Sequence, residues 1–327
     1  MWRLGSVTVA LLLLLVALMT LSVAWGPLSL SMEALWQGLR RTGEQPLAQT
    51  IIYDMRLPRV LLALLVGAAL AVAGVLSQTL VRNPLADPYL LGVANGASLL
   101  AVTGITLGLA LPQWLLAIVG AVVAFLLVMV SAHQRGLRLA PMALVLCGVT
   151  ISAMGAALTT LMMLLGDERA LSQILRWLMG SLVGAQWWDL LPLVIALTVL
   201  LPFLFCYSHQ WDRLLLGEDK AQSLGLNLVA VRWQLAVAIL LLTALSVAAA
   251  GVVGFLGLLV PHLCRLAIGG SHRLLLPLAA LVGGTLCVAV DLLCRWLLAP
   301  TELPLSVPLA LLTAPLLLSL IRRQAHG

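Results

Sequence analysis

VRNPLADPYLLGV, Val81 to Val93, crowds two prolines, an asparagine, an arginine and an aspartate into the seven positions 82–88 of a chain that is 62% hydrophobic. Asn83-Pro84 and Asp87-Pro88 each bias the residue before the proline away from the helical region, and each proline removes a backbone donor. The stretch is therefore a sharp corner. Its meaning depends on what lies on either side.

On both sides the sequence is apolar. Only 9% of the 327 residues are charged, mean hydropathy is +1.13, and apolar runs of about 17–25 residues recur along the chain, which indicates an all-α polytopic membrane protein. Breaks at polar or proline positions divide it into ten candidate spans, about 7–25, 58–80, 89–110, 113–132, 142–165, 190–206, 228–250, 253–268, 274–298 and 305–321. The third and fourth share only the Leu111-Pro112 hinge. The eighth is short for a crossing and reads as a partial span buried among its neighbours. Val7 to Trp25 resembles a signal peptide with Ser22-Val23-Ala24 as a cleavage site, but it is long for such a segment and further spans follow, so a retained first helix is expected. Trp2, Trp25, Trp114, Trp187 and Trp188 fall near span ends, as an interfacial belt would place them.

The 18 basic residues give a net charge of +6. They are scattered singly or in pairs through loops, which argues for orientation in a bilayer and against a nucleic-acid surface. With the N-terminus inside, Arg3, Arg82, Arg135, Arg138, Arg213, Lys220, Arg232, Arg265, Arg273, Arg322 and Arg323 lie inside. Arg40, Arg41, Arg56, Arg59, Arg169, Arg176 and Arg295 lie outside. Eleven against seven favours both termini in the cytoplasm, which makes Val81–Pro88 a cytoplasmic corner. Cys147, Cys206, Cys264, Cys287 and Cys294 lie in or beside apolar runs with no C-x-x-C spacing and read as small buried hydrophobes. The five histidines show no paired ligand spacing and read as loop or packing residues. Gly74 lies ten residues before Pro84 and Gly251 ten before Pro261, each in an alanine-rich run, an echo that inverted repeats would produce.

A nucleotide-driven machine needs a phosphate loop with Gly-Lys followed by Ser or Thr. The only lysine is Lys220, in Gly217-Glu218-Asp219-Lys220-Ala221, so any ATP motor must be a separate subunit. The segment Ser208 to Leu226 is a long polar interruption on the cytoplasmic side. It reads as a short helix, a break at Gly217, an acidic helix start at Glu218-Asp219 and a stop at Gly225. A docking surface and an ordinary solvated loop both fit this pattern.

Three long stretches, Arg56 to Ala97, Leu214 to Leu226 and Gly254 to Pro277, resemble the FecCD family of permeases of ATP-binding-cassette importers for ferric siderophores, haem and cobalamin. The resemblance implies one permease domain over 1–327 with about ten transmembrane helices, inverted repeats formed by helices two to five and seven to ten, and a homodimer. It implies two cassette ATPases, which bind the ATP and Mg, a periplasmic binding protein, and a bacterial inner-membrane location. The chain itself would hold no cofactor and catalyse nothing. Asn83, Pro84 and Leu85 would belong to a cytoplasmic gate, with a second element at Ala140, Pro141 and Met142. Leu216, Gly217, Glu218, Ala221, Leu224 and Gly225 would couple to the ATPase.

By the same resemblance, Arg56, Arg59 and Arg295 would dock the binding protein through charge-assisted hydrogen bonds. Lipid-headgroup contact competes at Arg56 and Arg59, and pairing with Asp291 competes at Arg295. Arg176 would sit at the cavity mouth and meet an anionic group, or pair with Asp167 or Glu168. The sequence departs from the family at Gly270-Ser271-His272-Arg273, where an acidic residue is common, and at Leu305-Ser306, where many members have a glycine. Two other classes compete. A secondary transporter would need charges at mid-membrane, where Asp291 is almost alone. An intramembrane enzyme would need a nucleophile and base at one depth, which the histidine positions do not supply.

Overall fold

The computed structural model describes residues 2–26, 46–133, 140–297 and 301–325, with Glu33, Trp36, Gly38 and Arg40 besides, and their side chains except at 2–4, 46 and 317–325. Arg41, Arg135, Arg138 and His326 lie outside the described residues, as do the side chains of Trp2, Arg3, Arg322 and Arg323. The elements are α1 (Trp2–Ala24), α2 (Leu57–Val81), α3 (Val93–Thr106), α4 (Gln113–Ala132), α5 (Pro141–Leu165), α6 (Glu168–Leu178), α7 (Trp187–Leu214), α8 (Glu218–Ser223), α9 (Leu228–Ala250), α10 (Leu256–Ile268), α11 (His272–Leu297) and α12 (Ser306–Ala325). Each expected span corresponds to one helix. The short α6 and α8 come in addition, as does a four-residue helix at Pro46–Gln49.

Seven described helices are long and apolar enough to cross a membrane. The 14-residue α3 and 13-residue α10 are not: at about 1.5 Å per residue they reach roughly 20 Å of a core about 30 Å thick. The partial eighth span is thus found. The third is shorter than its apolar run, because Pro88–Leu91 forms a 3-10 turn, Gly92 takes a left-handed conformation (φ 76°) and the chain leaves the helix at Leu107. The sixth is longer than expected. α7 runs on through Ser208 to Leu214, since Leu204, Ser208 and Trp211 continue its buried stripe and no breaker intervenes.

α2 is the central helix. Every residue from Val66 to Leu80 is buried, and it packs against α7, α9, α10 and α11. Lipid supplies no hydrophobic drive for helix association, so close approach must do it. A Cβ at Gly67 would lie 2.3 Å from the Gly283 carbonyl oxygen, and one at Gly74 2.0 Å from that of Gly257. α2 packs on α10 and α11, and reciprocally α9 packs on α3 and α4. In each set a long helix meets a left-handed break and then a short helix. Among the described residues, the breaks hold the two non-glycine ones with positive φ, Arg82 (55°) and Phe255 (70°). The Gly74/Gly251 echo is not the register of this repeat. Gly74 sits inside α2 while Gly251 caps α9, because alanine-glycine runs mark tight packing wherever it falls.

Between α9 and α10 the backbone is unwound, which is tolerated at depth only where protein satisfies it. The Tyr89 hydroxyl donates to the Val253 carbonyl (2.8 Å) and accepts from the Val253 N–H (3.2 Å). Ser306 Oγ donates to the Val252 carbonyl (2.9 Å) and accepts from Gly254 N–H (3.3 Å). The serine at this family departure therefore supplies a hydroxyl that glycine lacks.

Candidate gate and coupling site

The expected gate, coupling and docking residues fall at two opposite ends of the bundle. At the corner end, α2 stops in a Schellman-type cap. Arg82 N–H bonds to the Thr79 carbonyl (3.3 Å) and Asn83 N–H to that of Gln78 (3.1 Å), with Arg82 where glycine is usual. Pro84 blocks further helix. Asn83 Oδ1 accepts from Leu85 N–H (2.9 Å) and Asp87 Oδ1 from Tyr89 N–H (2.8 Å), so both polar side chains before a proline hold the turn. Asn83, Pro84 and Leu85 are exposed. Burial pushes the Asp87 carboxyl up to about 6.

The second expected gate element lies at the same end. Ala140 caps α5, Pro141 takes the first helical position, and Met142 is 78% exposed. α5 rests on the 3-10 turn that follows the corner, so closely that a Cβ at Gly148 would lie 1.8 Å from the Leu90 carbonyl oxygen.

The segment expected to couple contains one short helix, not two, since its first half belongs to α7. Gly217 (φ 103°) and Gly225 (φ 78°) bracket α8; both backbones favour glycine. The six expected residues divide by direction. Leu216 and Leu224 are exposed, at 57% and 53%, whereas Ala221 is fully buried against the bundle. Glu218 also turns inward. Its carboxylate meets Arg82 and, at 2.7 Å, Arg232, whose side chain is 2% exposed. A second inward contact lies beside it. His272, at the start of α11, is fully buried; Asp212 of α7 lies 2.6 Å from Nδ1, and Nε2 faces the Thr79 hydroxyl of α2 at 2.6 Å.

At the other end the chain enters α2 through a π turn, Thr50–Arg56, and Pro58 follows in the first turn of α2, where a missing backbone donor is tolerated. The three expected docking arginines do not point outward. Arg56 and Arg295 are buried. Arg56 donates to the carbonyls of Val23 (2.8 Å) and Ala24 (2.9 Å). Arg295 donates to that of Ser22 (3.1 Å) and also meets the Ser22 hydroxyl. Together they cap the orphan carbonyls of α1 and seat it on the bundle. Arg59 donates to Asp291 Oδ1 through Nε (2.9 Å) and Nη2 (2.8 Å), and to Glu302 through Nη1 (2.9 Å). Asp291 Oδ2 lies 3.1 Å from Arg295. Asp291 thus has two arginines beside it, Arg59 and Arg295.

Arg176, in the last turn of α6, pairs with neither candidate; Asp167 instead caps α6 by accepting from Ala170 N–H (2.7 Å). Its exposed side chain lines a cavity of about 470 Å³ with Gln113, Trp114, Gln173, Trp177 and Asp189. Trp25, Trp114, Trp187 and Trp188 are exposed, as the belt requires, but so is Cys206, contrary to the expected burial.

Sequence patterns did not reveal Arg232, Asp212, Thr79 or Glu302 as partners. For the three charged ones the available signal was a charge at an apolar span's edge without a neighbour at helical spacing; the contacts of Asp212, Thr79 and Glu302 span 60, 193 and 243 residues and that of Arg232 spans 14.

Long apolar helices, short interrupted ones and unwound backbone bound by side chains define a multi-pass transport permease. The chain belongs to the FecCD transport family, whose model matches residues 13–323. It is 39% identical to the vitamin B12 import system permease protein BtuC of Vibrio cholerae, with 98% of this chain and 95% of that one covered. It is 39% identical to the hemin transport system permease protein HmuU of Yersinia pestis over 96% and 94%, and 43% identical to the Fe(3+) dicitrate transport system permease protein FecD of Escherichia coli over 81% and 83%. Among solved structures, an inward-facing metal-chelate type ABC transporter matches with a TM-score of 0.85 at 33% identity, covering 98% of this chain and 99% of that one.

Proposed function

We propose that the chain is the membrane-spanning permease of an importer that carries a large chelate, cobalamin, haem or a ferric chelate, from periplasm to cytoplasm by alternating access. Two cassette ATPases drive it from the cytoplasmic side, a periplasmic binding protein delivers the cargo, and a second copy of the chain completes the path in the bacterial inner membrane. The observation that carries this is the match over nearly the whole length to a metal-chelate type ABC transporter, supported by the relatives' cargoes.

The corner end is the cytoplasmic end, and both termini are cytoplasmic. Asn83–Leu85 and Ala140–Met142 form the gate, and exposed Leu216 and Leu224 meet the ATPase. α5, exposed around most of its circumference, faces the second copy. Arg176 receives an anionic edge of the cargo in its cavity between two tryptophans. Docking of the binding protein uses the positive field of Arg56, Arg59 and Arg295 more than direct contact. Gentle purification from native membranes tests the assembly. A co-purifying cassette ATPase in equal amount and a corrin, haem or ferric-chelate spectrum on an accompanying binding protein are expected. A chain that comes alone and moves cargo on an ion gradient would make it a secondary transporter.

A further inference from the structure

Coupling requires that motion of a surface helix reach the gate. α8 has six residues and could hinge freely on Gly217 and Gly225, in which case motion of the ATPase would be lost there. The charges around it prevent this. Glu218, its first residue, offers one carboxylate to two arginines from different elements, Arg82 at the foot of α2 and Arg232 in the second turn of α9. Arg232 is almost wholly buried, and among the described residues Glu218 is the one carboxylate within ion-pair distance of it. Lifting α8 alone would leave a buried guanidinium without a counter-charge, which is strongly unfavourable.

The backbone of Arg82 is a second observation that bears on this contact. It is a non-glycine residue in the left-handed region (φ 55°), where glycine would relieve the strain. Its side chain reaches Glu218, and its backbone is the last residue before the corner Asn83-Pro84-Leu85. The Asp212–His272–Thr79 contact ties the end of α7, which leads into α8, to the same turn of α2.

We propose that Glu218, Arg82 and Arg232 form a clasp that transmits movement of α8 to the gate corner, so that coupling helix, corner and the foot of α9 move as one body. The proposal rests on the importer function above and deepens it: Arg82 and Arg232 are positioning residues for coupling, and Glu218 acts inward on the gate instead of outward on the ATPase.

The test is uptake per ATP hydrolysed, measured in proteoliposomes containing the assembled complex and its binding protein, with cyanocobalamin, hemin and ferric citrate as cargo probes. Arg82 is the residue to change, because its side chain is 30% exposed and Arg82→Gln leaves the buried Arg232 its partner. Arg82→Gln is expected to lower uptake per ATP about fivefold or more, within the range by which residues on a coupling route shift it. Arg82→Lys, which restores a charge, is expected to recover most of it. A purely structural role would lower the amount of assembled complex and leave the ratio untouched. If the wild type is coupled and assembled Arg82→Gln is equally coupled, the clasp is overturned alone. If the wild type takes up none of the three with ATP, the importer function falls and takes the clasp with it.

Discussion

Neutralising Asp291 probes the arginine end most directly. Its carboxylate is fully buried. Oδ1 accepts from Arg59 Nε and Nη2 at 2.9 and 2.8 Å, and Oδ2 lies 3.1 Å from Arg295. Asp291→Asn keeps the shape and removes the charge. Arg59 retains Glu302, 2.8 Å away, but Arg295 keeps only its contacts with Ser22. Breaking a buried pair by removing one charge costs about 3–5 kcal/mol, and the surviving Glu302 contact puts this case near the lower value. At the few degrees per kcal/mol known for smaller proteins, the unfolding midpoint in detergent should fall by roughly 5–10 °C. Arg295→Gln in the same background removes the orphaned guanidinium and should recover more than half of the loss. The assay is the fraction of monodisperse protein after heating. A single variant that melts within about 2 °C of wild type would refute the assignment of Asp291 as the counter-charge of this end.

Gly67→Leu forces a side chain where a Cβ alone would lie 2.3 Å from the Gly283 carbonyl; overpacking of about 1–3 kcal/mol or more should lower the same midpoint, while Gly270→Ala, with nothing within 4 Å, should not. Gly217→Arg combined with Leu224→Glu should abolish ATP-driven uptake while the protein still inserts, and unimpaired uptake would remove α8 from the coupling surface. Asp87, raised by burial to about 6 from an ordinary 3.8, binds more protons folded than unfolded between those values, so its contribution is fully present below about 4 and is lost as pH rises through about 6. Asp87→Asn keeps the cap on Tyr89 N–H and removes the half-buried charge. It should flatten the change in melting midpoint between pH 5 and pH 8, and an unchanged profile would show that another group sets it.

The helices were legible because lipid demands long apolar runs, and prolines with glycines punctuate them. The corner was legible for the same reason, since Asn83-Pro84 and Asp87-Pro88 fix backbone whatever surrounds them. What sequence could not give was direction. Leu216, Glu218 and Ala221 occupy one short segment, yet only the leucine faces out; Ala221 is a packing residue and Glu218 an ion-pair partner because of Arg82, far away in the chain, and Arg232 on the next helix. The end of α7 was misread for a related cause. SHQWDRL is polar by composition, but Ser208, Trp211 and Leu214 are its buried stripe, and a polar outer face at a membrane's edge resembles a loop.

For the docking proposed above, the inward turn of Arg56, Arg59 and Arg295 matters, because their side chains are engaged within the bundle. Arg56, Arg59 and Arg295 bring positive charge to this end, and Asp291 and Glu302 are counter-charges to Arg59 and Arg295. A charge of this kind attracts an acidic surface across the Debye length, about 8 Å at physiological salt, and raises the encounter rate without any new bond. Replacing Arg56 by glutamate would reverse that attraction. It would also remove the donor to the Val23 and Ala24 carbonyls and loosen α1. Weaker docking in that variant would therefore report two effects at once. Salt titration of the unaltered complex separates them, because screening weakens the field at the surface while the buried bonds to α1 are screened much less. Under the proposed function, that titration reports what the charge of these arginines adds to docking, while Arg56 and Arg295 also hold the first helix.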